Sequence, residues 1–219
     1  REFIVIAIIT NVYLFLFFKK PVKDIFVILL ITTLTISPYL IRNYITFDKI
    51  IIHSGFGYNL WQGNNPNYNE KGYQFIKQNL KSIIDKIPKD KFYRINEDKI
   101  FIEEAIKNIK ENPLQYFILY FKKFFSYLFF DLNSALPNYY NPAHILPIIL
   151  VSTISTLGIF LSSKKSYSLN YLILIYFFYI SVIPIFAIQP RYKIYIIPIQ
   201  IILSFIFVKF MKEKYFSKK

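Results

Sequence analysis

Among the cations that stand beside apolar runs in this chain are Arg42, Lys122, Lys123, Arg191 and Lys193. A guanidinium presents a planar fork that matches two phosphate oxygens at once, whereas an ammonium acts as a point charge. Cations gathered at the edge of apolar segments could hold a phosphate or pyrophosphate carried on a lipid. The alternative is that they snorkel to ordinary lipid phosphates. A second group of residues has a different chemistry. The stretch FGYNLWQGNNPNYNEKGY, residues 56–73, holds or adjoins Gly55, Gly57, Gly63 and Gly72, four of the five glycines in the chain, and contains the single tryptophan, Trp61. Asn59, Asn64, Asn65, Asn67 and Asn69 crowd the same segment. Amide side chains pair a donor with an acceptor, the partners that hydroxyl-rich ligands need. Trp61, Tyr58, Tyr68 and Tyr73 offer faces on which a sugar ring could stack. Gly63 followed by Asn64, Asn65 and Pro66 is also a turn signal, so the competing reading is a well-ordered surface loop with Trp61 packed inside it.

Other chemistries are excluded or disfavoured. With no cysteine there is no disulfide, thiolate site or cysteine nucleophile. The two histidines, His53 and His144, lie far apart in sequence, which argues against a metal site and for structural roles. Glu103 and Glu104 are adjacent and so cannot point at one site from a helix; they read as solvated. The net charge of +14 would suggest nucleic acid in a soluble protein. Here many lysines flank apolar spans, where membrane orientation accounts for them, and no nucleic-acid-binding motif is present.

The elements that must position these groups follow from the apolar runs. The chain is 54% hydrophobic and 20% aromatic. Apolar runs at 3–18, 25–41, 145–161, 171–188 and 194–208 predict an all-α polytopic membrane protein with about five transmembrane helices. The lysine-rich segments KKPVKD, SSKKS and KFMKEKYFSKK fall on one side, which the positive-inside rule makes cytoplasmic. The expected organisation is two spans over 1–41, one large and mostly helical outer domain over 42–144, then three spans and a basic tail over 145–219. The turn QPRYK, 189–193, is then outside as well. Residues 114–130 are apolar enough to resemble a span, but Lys122 and Lys123 sit at the centre. Each would cost roughly 2.5–3.5 kcal/mol at mid-membrane. A helix along the outer membrane surface fits better, with a buried helix of the outer domain as the alternative. Phe101, Ala105 and Ile109 recur at helical spacing just before it, with Pro113 as the stop. The segment between Lys77 and Lys91 predicts further helix. The first residues carry no leader pattern and read as the middle or edge of a membrane segment, so the expectation is the C-terminal portion of a longer protein or an incomplete gene product.

Pro38-Tyr-Leu-Ile-Arg42-Asn43-Tyr44, a fourteen-residue gap, and Asn59-Leu-Trp61-Gln-Gly63-Asn64-Asn65-Pro66 together resemble the bacterial membrane glycosyltransferases of the dolichyl-phosphate-mannose–protein mannosyltransferase type. These belong to the GT-C group and are relatives of the aminoarabinose transferases. IKENPLQYFILYFKKFFSYLF, the segment Pro137 to Pro142, and Pro190-Arg191-Tyr192 followed by Pro198 are similar to later features of the same proteins. Tyr39 replaces the usual tryptophan, and the spacing to Pro198 is longer. The resemblance implies transfer of a sugar from a polyprenyl-phosphate carrier to a lipid, glycan or protein acceptor on the outer face of the bacterial cytoplasmic membrane. It implies a carboxylate base on the acceptor hydroxyl and cations on the leaving phosphate. It suggests Arg42, Arg191 and Lys193 for the phosphate, and Trp61, Gly63, Asn64, Asn65 and Tyr192 for sugar contact or loop formation. The family's key acid lies in an earlier outer loop, and no carboxylate of this chain matches it. The only cofactor-like molecule expected is the polyprenyl-phosphate sugar itself; membrane lipids are partners and nucleic acid is not. Rival readings are an O-antigen polymerase or ligase, and a non-catalytic membrane subunit that binds the lipid carrier. A transporter would be expected to carry charged or broken helices at mid-membrane.

Overall fold

Apolar runs of this length have to satisfy their backbone internally, and they do so as helices. The computed structural model describes residues 2–18, 21–51, 55–66, 76, 78–131, 138–161, 166–188 and 190–215, and these form helices and connections with no strand among them. In order the helices are α1 (Glu2–Phe18), α2 (Val22–Phe47), α3 (Phe56–Gly63), α4 (Gln78–Ile84), α5 (Tyr93–Glu111), α6 (Pro113–Leu128), α7 (Pro142–Leu161), α8 (Tyr167–Val182) and α9 (Ile197–Tyr215). Short 3-10 turns cover Ile183–Ile185 and Pro190–Tyr195. Three helices are long and apolar enough to cross a membrane: Val22–Phe47, Pro142–Phe160 and Tyr167–Ile185. The protein is therefore an all-helical membrane protein. Of the other two expected spans, α1 is shorter, and α9 carries Lys209, Lys212, Glu213 and Lys214 in its C-terminal half. His53 and the segments 67–73 and 132–137 lie outside the described residues.

The chain divides into two units, residues 1–58 with 76–102 and residues 59–75 with 103–219. In the first, α1 and α2 pair, with Tyr13 buried and stacked on Phe17 at 4.5 Å. Helix α2 runs through Arg42 and ends at Asp48, whose left-handed φ of 51° closes the helix by returning its N–H to the Tyr44 carbonyl. Buried Asn43 then donates to the Ile51 carbonyl. Lys91 reaches Asp48 at 3.9 Å and lies 4.9 Å from the Phe92 ring, so the α2 end is tied to the α4–α5 connection.

In the second unit α7 packs along α9. Close approach is possible because residue 158 is glycine: a Cβ there would run into the Leu203 carbonyl. Buried Gln200 of α9 donates to Ser152 Oγ of α7 at 3.2 Å and to the Tyr176 hydroxyl of α8 at 3.3 Å. Pro113 separates α5 from α6, stopping one helix and occupying the first position of the next. Helix α6 packs on α8 and on the turn that follows it, and Tyr120 donates to the Ser181 carbonyl at 3.0 Å. Its buried stripe is Tyr116, Leu119, Lys123 and Tyr127, while Leu114, Phe117, Ile118, Phe121 and Phe125 are exposed. One face of this helix is therefore buried in the second unit and the opposite face, largely apolar, is exposed.

Candidate functional site

Helix α3 ends at Gly63. A turn-rich loop was expected over this stretch; Phe56–Gly63 is instead a helix, and the turn signalled by Gly63, Asn64, Asn65 and Pro66 follows it at 64–66. Its glycines and asparagines serve close contact and termination. A Cβ at Gly63 would collide with the backbone of Phe186 and Ala187, so only glycine lets α3 reach the segment after α8. The last carbonyls of any helix lack intrahelical partners. Asn64 Nδ2 meets the Leu60 carbonyl at 2.8 Å and crosses to the Ile185 carbonyl at 2.7 Å. Asn65 Nδ2 donates to the Trp61 and Gln62 carbonyls at 3.2 and 3.0 Å. Ala187 N–H returns to the Asn59 carbonyl at 3.2 Å. Trp61 is only 4% exposed, so the indole is a core side chain of this junction.

Lys123 completes the junction from α6. At 2% exposure, its ammonium donates to the Gly63 carbonyl at 2.8 Å, and to Asn64 Oδ1 and the Phe186 carbonyl at 3.3 Å each. The site collects carbonyls from two terminating segments, where a cation is favoured by the aligned peptide dipoles. Burial pulls the Lys123 pKa down to about 7, while the three oxygen acceptors work to keep it charged. Lys122, the next residue, is exposed.

The turn Pro190–Tyr195 is held to the end of α6. The Tyr127 hydroxyl donates to the Tyr192 carbonyl at 3.0 Å. Lys193 Nζ donates to the Phe129 carbonyl and is only 6% exposed, and its burial lowers its pKa to about 8. Tyr195 stacks flat on Tyr179 at 5.3 Å. Arg191 is the outward cation of the turn, exposed and 5.6 Å from the Tyr192 ring. A backbone fixed by buried neighbours thus presents one guanidinium on a short turn next to the end of a candidate span.

Of the residues expected at the site, Trp61, Gly63, Asn64, Asn65, Arg191, Tyr192 and Lys193 all fall in the second unit. Trp61, Gly63, Asn64 and Asn65 make one buried junction, and Arg191, Tyr192 and Lys193 make the turn. Arg42 belongs to the first unit, exposed on α2. Lys193 was expected to face lipid phosphate, and the structure gives its ammonium a protein carbonyl instead. Lys123 was expected among the outward cations, and its environment is the opposite. The signal for this was present in the sequence: Lys123 is in helical phase with Tyr116, Leu119 and Tyr127, and Lys122 is not. His144 lies in the first turn of α7, exposed and 5.5 Å from the Tyr139 ring. Among the described residues no group of three or more His, Cys, Asp or Glu could hold a metal ion. No protein family, curated protein or solved structure matches the chain.

Proposed function

We propose that this chain is the C-terminal part of a GT-C-type glycosyltransferase that moves a sugar from a polyprenyl-phosphate carrier to an acceptor on the extracytoplasmic face of the cytoplasmic membrane. The observation that supports this reading is the meeting of distant segments. Asn64 and Ile185, 121 residues apart, are bonded directly, and Lys123 of α6 donates to Gly63, Asn64 and Phe186 beside them. Asn59–Pro66, α6 and the Pro190–Tyr195 turn, three of the stretches that carry the resemblance, are thus connected within the second unit, while Pro38–Tyr44 belongs to the first.

In this reading Arg191 is the phosphate ligand. Its guanidinium is exposed, has no ion pair among the described residues, and stands on a turn that Tyr127 and Lys193 hold still. Preorganised cations stabilise the charge that develops on a leaving phosphate, because no reorganisation is needed as the bond breaks. Lys123, Asn64 and Asn65 position segments and do not touch substrate. The general base that deprotonates the acceptor hydroxyl is assigned to no carboxylate of this chain.

The test is sugar transfer in membranes from cells expressing the full-length protein that contains this chain, with radiolabelled polyprenyl-phosphate hexoses as donors. Wild-type membranes should move label to an acceptor. Arg191→Ala should lower the rate about a hundredfold with protein levels unchanged, the size seen when one preorganised charge-stabilising group is lost. Label that stays on the carrier with every hexose donor, or a rate indifferent to Arg191, contradicts the proposal.

A further inference from the structure

The first unit contains a cavity of about 270 Å³ lined by Gly55, Tyr58, Ile76, Arg94, Glu97, Asp98 and Phe101. Its walls have two characters. Tyr58 and Phe101 meet edge to face with centroids 5.1 Å apart, which sets a fixed aromatic surface on one side. The charged side comes from one turn of α5. Glu97 accepts from Arg94 Nη1 at 2.9 Å and from the Tyr93 hydroxyl at 3.4 Å. Asp98 holds the start of α3 by accepting from the Gly57 and Tyr58 N–H groups at 2.8 and 3.2 Å. Both of those bonds fall on Oδ1, so Oδ2 has no partner among the described residues. The Arg94 nitrogens other than Nη1 likewise donate no hydrogen bond among the described residues, and the guanidinium lies 5.8 Å from the Tyr93 ring.

A cavity lined by an aromatic pair, a carboxylate oxygen and the remaining guanidinium donors has a narrow set of matching ligands. The aromatic surface needs an apolar C–H face. The carboxylate needs a hydroxyl donor, and the guanidinium needs an oxygen acceptor. A pyranose ring supplies all three from one rigid body. Arg94 in the wall disfavours a metal cation, and the two carboxylates disfavour a phosphate. The volume is at the small end of ligand sites, which suits a single ring rather than an extended chain.

We infer that this cavity binds one sugar residue of the acceptor, so that the acceptor is a glycan or glycolipid; this assignment of role rests on the transferase reading above. Tyr58 supplies the stacking face, Asp98 Oδ2 receives a sugar hydroxyl, and Arg94 donates to a neighbouring oxygen.

The experiment is saturation-transfer NMR on the full chain in nanodiscs, with the methyl glycosides of glucose, galactose, mannose and N-acetylglucosamine as probes. Ring protons of at least one glycoside should receive saturation. Arg94→Gln and Tyr58→Leu should each weaken that binding about tenfold, as expected when one charged hydrogen bond or one stacking face is lost. The Arg94 side chain is 75% exposed, so its replacement leaves the fold intact. No saturation of any glycoside, or binding as strong as wild type in both variants, overturns the inference. A photoreactive polyprenyl phosphate is run in parallel on the same samples. Labelling that persists without glycoside binding removes the sugar pocket alone. Glycoside binding without labelling leaves a sugar site whose role as acceptor site falls with the transferase reading.

Discussion

Lys122 and Lys123 are neighbours in sequence and opposite in environment. Lys123 supplies donors to two backbone carbonyls and one side-chain amide oxygen, and replacing it with methionine would leave the Gly63 and Phe186 carbonyls and Asn64 Oδ1 without that donor. Lys123→Met should lower stability by about 2–4 kcal/mol. Lys122→Met, on the exposed side, should stay within about 0.5 kcal/mol. Thermal unfolding in detergent separates the two. Titration gives a second readout. The Lys123 pKa falls from 10.5 to about 7 on folding, so above about pH 7 the unfolded chain binds more protons than the folded one. Stability should therefore rise with pH from about 7 to 9, below the range where tyrosines ionise. Lys193, lowered to about 8, adds a smaller rise that starts later. The methionine variant should lose the earlier part of the rise and keep the later part. A wild-type stability that falls over this interval would contradict the buried placement. Charge at position 123 was plain in the sequence, and its burial could be read only from helical phase.

At the scale of elements, the apolar runs and the proline stop were legible because each is local. The run at 145–161 became α7, the run at 171–188 became α8 and the turn after it, and Pro113 ended one helix and began another. The glycine-rich stretch was not legible in the same way. Gly63 and Asn64 look like turn residues, yet their partners are Phe186 and Ile185, which no local pattern can indicate. The glycine is required by a backbone approaching from elsewhere, and the first asparagine by a carbonyl that the end of α8 leaves open. Gly158 is the same case between two helices. Gly158→Ala would push a Cβ into the Leu203 carbonyl and separate α7 from α9, at about 1–3 kcal/mol. Leu150→Ala, on an exposed face of α7, should change stability far less. A Gly158→Ala protein with unchanged thermal midpoint would show that α7 and α9 do not pack this closely.

For the whole molecule, helical class and membrane character were written in composition and run length, because a bilayer admits few alternatives. The number of spans was less legible: α1 and α9 fall at the margin of length or charge, where neighbouring helices and lipid decide. The functional reading joins scales, since a turn at the end of one candidate span is fixed by α6 and presents Arg191. The most direct measurement is photolabelling of this chain, in membranes, by a polyprenyl phosphate with a photoreactive group close to the phosphate, followed by peptide mapping. Labelling should concentrate on the Pro190–Tyr195 turn and drop at least tenfold in Arg191→Ala, while the variant keeps the wild-type melting temperature. Labelling spread along the spans, equal in wild type and Arg191→Ala, would mean that the chain meets the carrier only as bulk lipid, and the transferase account would fail.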